Sequence, residues 1–174
     1  MISIVIPTLN ESVDLANTLQ SIFDAVSNPV EVIVVDGGSV DNTVEIATGF
    51  GVQVMVCKGG RSVQMNAGAA VATGDILIFL HGDTVVPMGF DRWIDIFDCT
   101  KSSEIPIAGA FNLKINSDRW LLRLVEWGVK VRSELFNLPY GDQALFLKVS
   151  TFRELGGFPE LPIKIGRASC RERV

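Results

Sequence analysis

Val30-Glu-Val-Ile-Val-Val-Asp-Gly-Gly-Ser39 is the stretch that decides the architecture. Val30 to Val35 is a β-branched run that reads as a strand, and Asp36-Gly-Gly-Ser39 ends it with turn chemistry. On its N-terminal side, Ile2-Ser-Ile-Val-Ile6 is a second β-branched run, read as a buried strand stopped by Pro7. Thr8-Leu-Asn-Glu11 then offers a capping box, and Leu15, Leu19, Ile22 and Phe23 recur at helical spacing. On its C-terminal side, Asp41 can cap a short helix carrying Val44, Ile46 and Ala47. Val52 to Cys57 reads as the third strand, and Gly59-Gly60 turns into an Ala-rich helix from Arg61 to Ala72. Thr73-Gly-Asp75 makes the next turn, and Ile76 to Leu80 the fourth strand. Three strand-to-helix alternations in so short a span imply right-handed crossovers and a mostly parallel sheet covered on both faces, an α/β three-layer sandwich.

The remainder of the chain is patterned differently. Phe90 to Phe97 predicts a helix, Ala108 to Ile115 a strand, and Asp118 to Phe136 a long helix. Trp120, Leu124, Trp127 and Val131 share one face of that helix and read as core. Leu121, Leu122 and Val125 widen the face, which leaves contact with a membrane surface or lipid acceptor as the alternative. Gln143 to Val149 predicts a further strand, followed by a short helix ending at Gly156-Gly157.

The composition fits one soluble domain. With 174 residues the chain is long enough for a single core, and its 48% hydrophobic and 20% charged residues argue against disorder. A net charge of −5 without any Lys/Arg run excludes a nucleic-acid partner from the expectations. It leaves a nucleotide ligand open, since backbone N–H groups, one Arg and a metal suffice for a diphosphate. The three cysteines, Cys57, Cys99 and Cys170, are far apart with no CxxC, which reads as a reducing compartment without structural zinc. The first strand begins at Ile2, leaving no room for a signal peptide, and no apolar run approaches the ~20 residues of a membrane span. A cytoplasmic protein is expected.

In an open parallel sheet, ligands bind outside the carboxyl ends of the strands. The four ends here are Pro7-Thr-Leu-Asn-Glu11, Asp36-Gly-Gly-Ser39, Lys58-Gly-Gly-Arg61 and His81-Gly-Asp83. All are polar or Gly-rich, and all should meet in one crevice. Neither GxGxxG nor GxxxxGK[ST] occurs, which disfavours the usual NAD and ATP sites. Asp36 can accept hydrogen bonds from a base edge or ribose. Arg61, at a helix N-terminus, favours phosphate. Asp83 offers a hard oxygen to Mg²⁺ or Mn²⁺ bridging diphosphate oxygens.

Ile6-Pro-Thr-Leu-Asn-Glu11, Val35-Asp-Gly-Gly-Ser-Val-Asp-Asn-Thr43, Gly60-Arg-Ser-Val-Gln-Met-Asn-Ala-Gly68 and Leu80-His-Gly-Asp83 together resemble the family 2 glycosyltransferases of GT-A (Rossmann-like) fold. Within them the chain looks most like a small bacterial group associated with radical-SAM and selenium-related genes. Leu138-Pro-Tyr-Gly-Asp-Gln143 and Leu155-Gly-Gly-Phe158 extend the resemblance to about residue 163. It implies an inverting transfer of sugar from a nucleotide-diphosphate donor, UDP-linked, to an unknown hydroxyl acceptor. It also implies that Pro7, Thr8, Asn10 and Glu11 line the nucleotide pocket with Gly37 and Gly38, that Asp36 reads the base, and that Arg61 and Asn66 lie near the nucleotide. His81-Gly-Asp83 takes the place of the DxD metal motif, with Asp83 as its second acid, His81 replacing the first, and Mg²⁺ or Mn²⁺ as the cofactor. Gly141, Asp142 and Gln143 fall on the acceptor side.

The family's catalytic base belongs in an acidic pair shortly after the GGF segment. Here Ile165-Gly-Arg-Ala-Ser-Cys-Arg-Glu-Arg-Val174 follows instead, without hydrophobic periodicity, and resembles a translated sequencing adapter. The expectation is one GT-A domain over residues 1–164, truncated at its C-terminus and followed by a foreign tail. Residues 1–83 form its nucleotide-sugar half and 84–164 an incomplete acceptor half. The base would then be missing, with Asp142 as its stand-in. A nucleotidyltransferase is the rival enzyme class, although it would open with a Gly-rich, Arg/Lys-bearing loop where Pro7-Thr-Leu-Asn-Glu11 stands. A non-catalytic nucleotide-sugar-binding fragment is the rival outside catalysis.

Overall fold

The computed structural model describes residues 1–99, 108–110 and 144–159. The strands are β1 (Ile2–Thr8), β2 (Val30–Asp36), β3 (Gln53–Val56), β4 (Ile76–Phe79), β5 (Ala108–Ala110) and β6 (Leu145–Lys148). The helices are α1 (Leu15–Ala25), α2 (Thr43–Gly49), α3 (Arg61–Val71), α4 (Phe90–Cys99) and α5 (Val149–Glu154). The strands form one sheet in the order β3-β2-β1-β4-β6-β5. β1 pairs in parallel with both β2 and β4, and β2 with β3, while β6 runs antiparallel to β4 and β5. The mostly parallel α/β sandwich expected from the strand-and-helix alternation is the observed architecture.

Alternation along β1 builds two cores. Ile2, Ile4 and Ile6 pack with Val32, Val34, Ile76 and Ile78 under Leu15, Leu19 and Ile22 of α1, Ala47 of α2, and Phe90 and Ile94 of α4. On the opposite face Val5, Ile33, Val35, Leu77 and Phe79 meet Ala69 of α3, Leu147, and Val149 and Phe152 of α5. Both faces of β1 are therefore covered, which explains its mostly apolar run, and the one polar residue within Ile2–Ile6, Ser3, is buried with its hydroxyl bonded to Glu31 and the Gly74 N–H.

Two local expectations are corrected. β1 does not stop at Pro7 but continues to Thr8, with Pro7 opposite Val35. The ladder with β4 has ended by then, Leu80 N–H donating to the Val5 carbonyl as its last bond. Residues 5 and 7 direct their backbone the same way, so the N–H that Pro7 lacks has no partner to lose. Nor does Thr8-Leu-Asn-Glu11 cap a helix. Thr8 is a buried strand residue, and α1 begins only at Leu15 behind Asp14, whose side chain makes no capping bond. The Asp41 expectation fares better: its carboxylate accepts from the Thr43 N–H (3.1 Å) and hydroxyl where α2 begins. The predicted helix 118–136, with its Trp120–Val131 stripe, and the tail 165–174 lie outside the described residues. No helix among the described residues is long and apolar enough to cross a membrane.

The chain order β1, β2, β3 proceeds to one side of β1 and then crosses to β4 on the other. That reversal opens a crevice at the carboxyl ends of β1 and β4. Helix α3 lies against this part of the sheet because Gly68 permits close approach. A Cβ there would come within 2.4 Å of Val5 Cγ1 and 3.0 Å of Val35 Cγ2. Gly68→Ala is expected to cost about 1–3 kcal/mol through overpacking, seen as a lower midpoint in thermal unfolding. An unchanged midpoint would mean that α3 is not seated as described.

Candidate functional site

The loops that follow β1 and β2 are clasped to each other. Asn10 occupies the left-handed region (φ 57°), which Asn tolerates better than other side-chain-bearing residues. That conformation lets its N–H donate to Ser39 Oγ (2.8 Å) while its Oδ1 accepts from the Val40 N–H (2.9 Å). One residue on, the Glu11 N–H donates to Thr43 Oγ1 (2.9 Å), and the Ser12 N–H donates to the Asp41 carboxylate (3.2 Å).

Asp36 terminates β2 and is 1% exposed. Its Oδ2 accepts from the N–H groups of Gly38 and Ser39, both at 2.8 Å. Its Oδ1 accepts from the Ser39 hydroxyl and, at 3.5 Å, from that of Thr8. The residue expected to read a base thus also folds its own loop, and a ligand N–H reaching Oδ1 would compete with Ser39. The Thr8 carbonyl accepts from the Gly37 N–H (2.9 Å) and from Nε2 of the buried Gln64 (3.2 Å). Gln64 lies within the Gly60–Gly68 motif, but the sequence assigns it no role. Only packing shows that it holds α3 to the β1 end.

Across the crevice, the Thr18 hydroxyl of α1 donates to the Gly82 carbonyl (2.8 Å) and fixes the His81-Gly-Asp83 turn. Arg61, the first residue of α3, brings Nη1 to 3.1 Å from His81 Nε2. A guanidinium only donates, so His81 accepts at Nε2 and carries its ring proton on Nδ1. Glu11 is half-buried beside this pair. Burial first, then the charges of Asp83 and Asp14, push its carboxyl above the usual range, and Arg61 draws it back. Glu11, Arg61, His81 and the exposed Asp83 form one polar mouth.

Among the described residues, no three His, Cys, Asp or Glu side chains group to hold a metal ion. His81 has its Nε2 turned to Arg61, which leaves Asp83 as the first candidate ligand. Mg²⁺ and Mn²⁺ are commonly held by one or two carboxylates with substrate phosphates and water, so this donor set fits an ion arriving with a diphosphate rather than a protein cage. Asn66, in the middle of α3, is bonded to the turn after α5. Its Nδ2 donates to the Phe158 carbonyl and its Oδ1 accepts from the Phe158 N–H, both at 2.9 Å. Gly141, Asp142 and Gln143 lie outside the described residues.

Asp41 supplies a pH-sensitive joint in this clasp. Hydrogen bonds from Thr43 and Ser12 hold its carboxyl down to about 2 from an ordinary 3.8. Its contribution to stability is therefore complete above 3.8 and vanishes as pH falls through about 2. Asp41→Asn is expected to be less stable than wild type in urea unfolding at pH 6, with the gap closing between pH 4 and pH 2. A gap independent of pH would contradict this assignment.

Comparisons with known proteins bear on the family and the fold. The model of "Glycosyl transferase family 2" matches residues 3–98. A PGL/p-HBAD biosynthesis glycosyltransferase of Mycobacterium bovis (strain BCG / Pasteur 1173P2) is 39% identical over 90 residues, covering 48% of this chain and 35% of that protein. The mannosyltransferase PcManGT from Pyrobaculum calidifontis, solved with GDP-Man and Mn²⁺, superposes with a TM-score of 0.68 at 21% identity, over 91% of this chain and 47% of that one. Glucosyl-3-phosphoglycerate synthase from Mycobacterium tuberculosis, solved with UDP, gives 0.61 at 23% identity, over 86% and 57%. The chain spans about a third of the length of the curated relatives it matches (32% and 35% for the first two) and about half of the solved chains.

Proposed function

The chain belongs to glycosyl transferase family 2, and from that premise we propose that its crevice binds a nucleotide-diphosphate sugar and supports sugar transfer to a hydroxyl acceptor. The observation that carries this reading is the meeting of the β1, β2 and β4 ends with the N-terminus of α3 at the reversal point of the sheet. Such a crevice is where α/β proteins bind nucleotides. The loop of Pro7, Thr8, Asn10 and Glu11 and the turn of Asp36, Gly37 and Gly38 supply the base and ribose side. Arg61 supplies a permanent cation at a helix N-terminus, where free N–H groups add to it.

Chemically, the leaving nucleoside diphosphate gains negative charge as the glycosidic bond breaks. A divalent ion on Asp83, when bound, would neutralise that charge as a Lewis acid. Arg61 stands on the same mouth, held by His81, and stabilises developing charge without reorganising. His81 in place of a first acid shifts part of the electrostatic work from metal to guanidinium. Inversion requires a base on the acceptor face to take the hydroxyl proton. Asp142 is the candidate within this sequence, beside an acidic pair beyond the GGF segment in the family pattern.

UDP is the first donor nucleotide to test, with GDP as the alternative base. Calorimetry with UDP and Mn²⁺ is expected to show binding that weakens on chelation. Arg61→Gln should lose about ten-fold in affinity or more, the scale of one charge-assisted bond to phosphate. Absence of binding by both UDP and GDP, with and without Mn²⁺, would sink the donor-site reading. An unchanged affinity in Arg61→Gln would remove Arg61 from it.

A further inference from the structure

We propose that Asn66 is a positioning residue that locks the Gly157–Phe158 turn onto helix α3, and is not a nucleotide contact. The inference rests on the donor-side reading of α3 given above, since that helix presents Arg61 at its start. Both halves of the Asn66 amide are matched by one residue's backbone. Nδ2 donates to the Phe158 carbonyl and Oδ1 accepts from the Phe158 N–H, each at 2.9 Å, across 92 residues of sequence. This two-point match is what an Asn side chain offers an extended backbone: it mimics a peptide group, with one donor and one acceptor side by side. One N–H and one oxygen lone pair of the amide remain, but they point apart, so the side-by-side pair that a base edge would need is already spent on Phe158.

The turn is shaped to receive it. Gly157 sits at φ 76°, and a Cβ there would come within 2.9 Å of Asn66 Oδ1, so a side chain would be both strained and in the way. The Phe158 ring is anchored independently. It stacks edge-on with Phe79 (5.0 Å between centroids) and Phe152 (5.5 Å), at the end of β4 and in α5 respectively. The rings fix where the turn lies against the sheet, while Asn66 fixes its height along α3. The Gly157–Phe158 turn is thereby registered to the helix that carries Arg61. In an enzyme joining a donor to a second substrate, such a link sets the relative placement of the two halves, where small errors cost rate.

Hydrogen exchange of the full chain, read amide by amide, tests this together with UDP–Mn²⁺ calorimetry. Asn66→Ala should speed exchange at Phe158 about ten-fold or more, as two bonds are lost, while the β1 amides and UDP affinity stay within about two-fold of wild type. Asn66→Asp keeps the acceptor for the Phe158 N–H and, once protonated, regains a donor. It should restore protection relative to Ala, and more of it near pH 4 than at pH 7. A ten-fold loss of UDP affinity with Phe158 exchange unchanged would make Asn66 a nucleotide contact and overturn the proposal. Equal acceleration at Phe158 and throughout β1 would overturn it too, as a global stability effect. Should wild type bind neither UDP nor GDP, the donor reading fails, and the exchange pattern alone still decides whether Asn66 locks the turn.

Discussion

A buried carboxylate at the tip of β2 is the constraint around which the crevice is built. Asp36 is almost wholly shielded from water, and a carboxyl group so placed is costly unless hydrogen bonds replace its hydration. The nearest donors are the N–H groups two and three residues ahead and the Ser39 hydroxyl, so the chain must curl back on itself immediately after the strand. That curl places Ser39 Oγ where Asn10 N–H reaches it, and Val40 N–H where Asn10 Oδ1 reaches it. Two loops that would otherwise fray independently become one rim. Losing the Asp36 acceptors would leave the half-buried N–H groups of Gly38 and Ser39 without their partner as well as loosen the contact with β1.

Helix α3 is the second organising element, and its residues divide the work by position. Arg61 faces the mouth, Gln64 grips the Thr8 carbonyl, Asn66 grips Phe158, and Gly68 lets the helix sink against Val5 and Val35. A single rigid rod therefore reports to the crevice at one end and to the GGF segment further along. Such sharing explains why a helix with only a modest apolar face is held so closely: polar bonds to two distant backbone segments supplement its hydrophobic contact.

The electrostatics of the mouth follow from one substitution in the expected motif. Were His81 the acid that the family resemblance implies at its position, the mouth would have one carboxylate more; as an imidazole it accepts from Arg61 at Nε2 and aims the guanidinium. Glu11 is raised by burial first and then by the negative charges of Asp83 and Asp14. A cation entering beside Asp83 would relieve that repulsion, and this is the place the proposed function gives to an ion arriving with a diphosphate.

The strands, the helices and the polar strand ends were legible in the sequence because they depend on near neighbours. The Ile/Val-rich run of Ile2–Ile6, the helical spacing of Leu15, Leu19 and Ile22, and the turn chemistry after Asp36 each encode a local preference that burial then reinforces. Where a residue's partner lay far along the chain, sequence alone misassigned or missed it. Thr8 and Glu11 have the spacing of a capping box, yet the sheet claims Thr8, because its hydroxyl meets Val35 and Asp36 across the strand pair. Pro7 reads as a strand breaker until pairing shows that its missing N–H faces past the end of the β4 ladder. Gln64 and Asn66 differ little as letters in a helix, but the fold brings the Thr8 carbonyl to one and both polar groups of Phe158 to the other. The sequence by itself determined the parallel sheet, the order of its elements and the chemistry available at each strand end. Only the tertiary structure decided which of those groups are already bonded to each other, since a hydrogen bond needs two partners within about 3 Å and sequence fixes the position of neither.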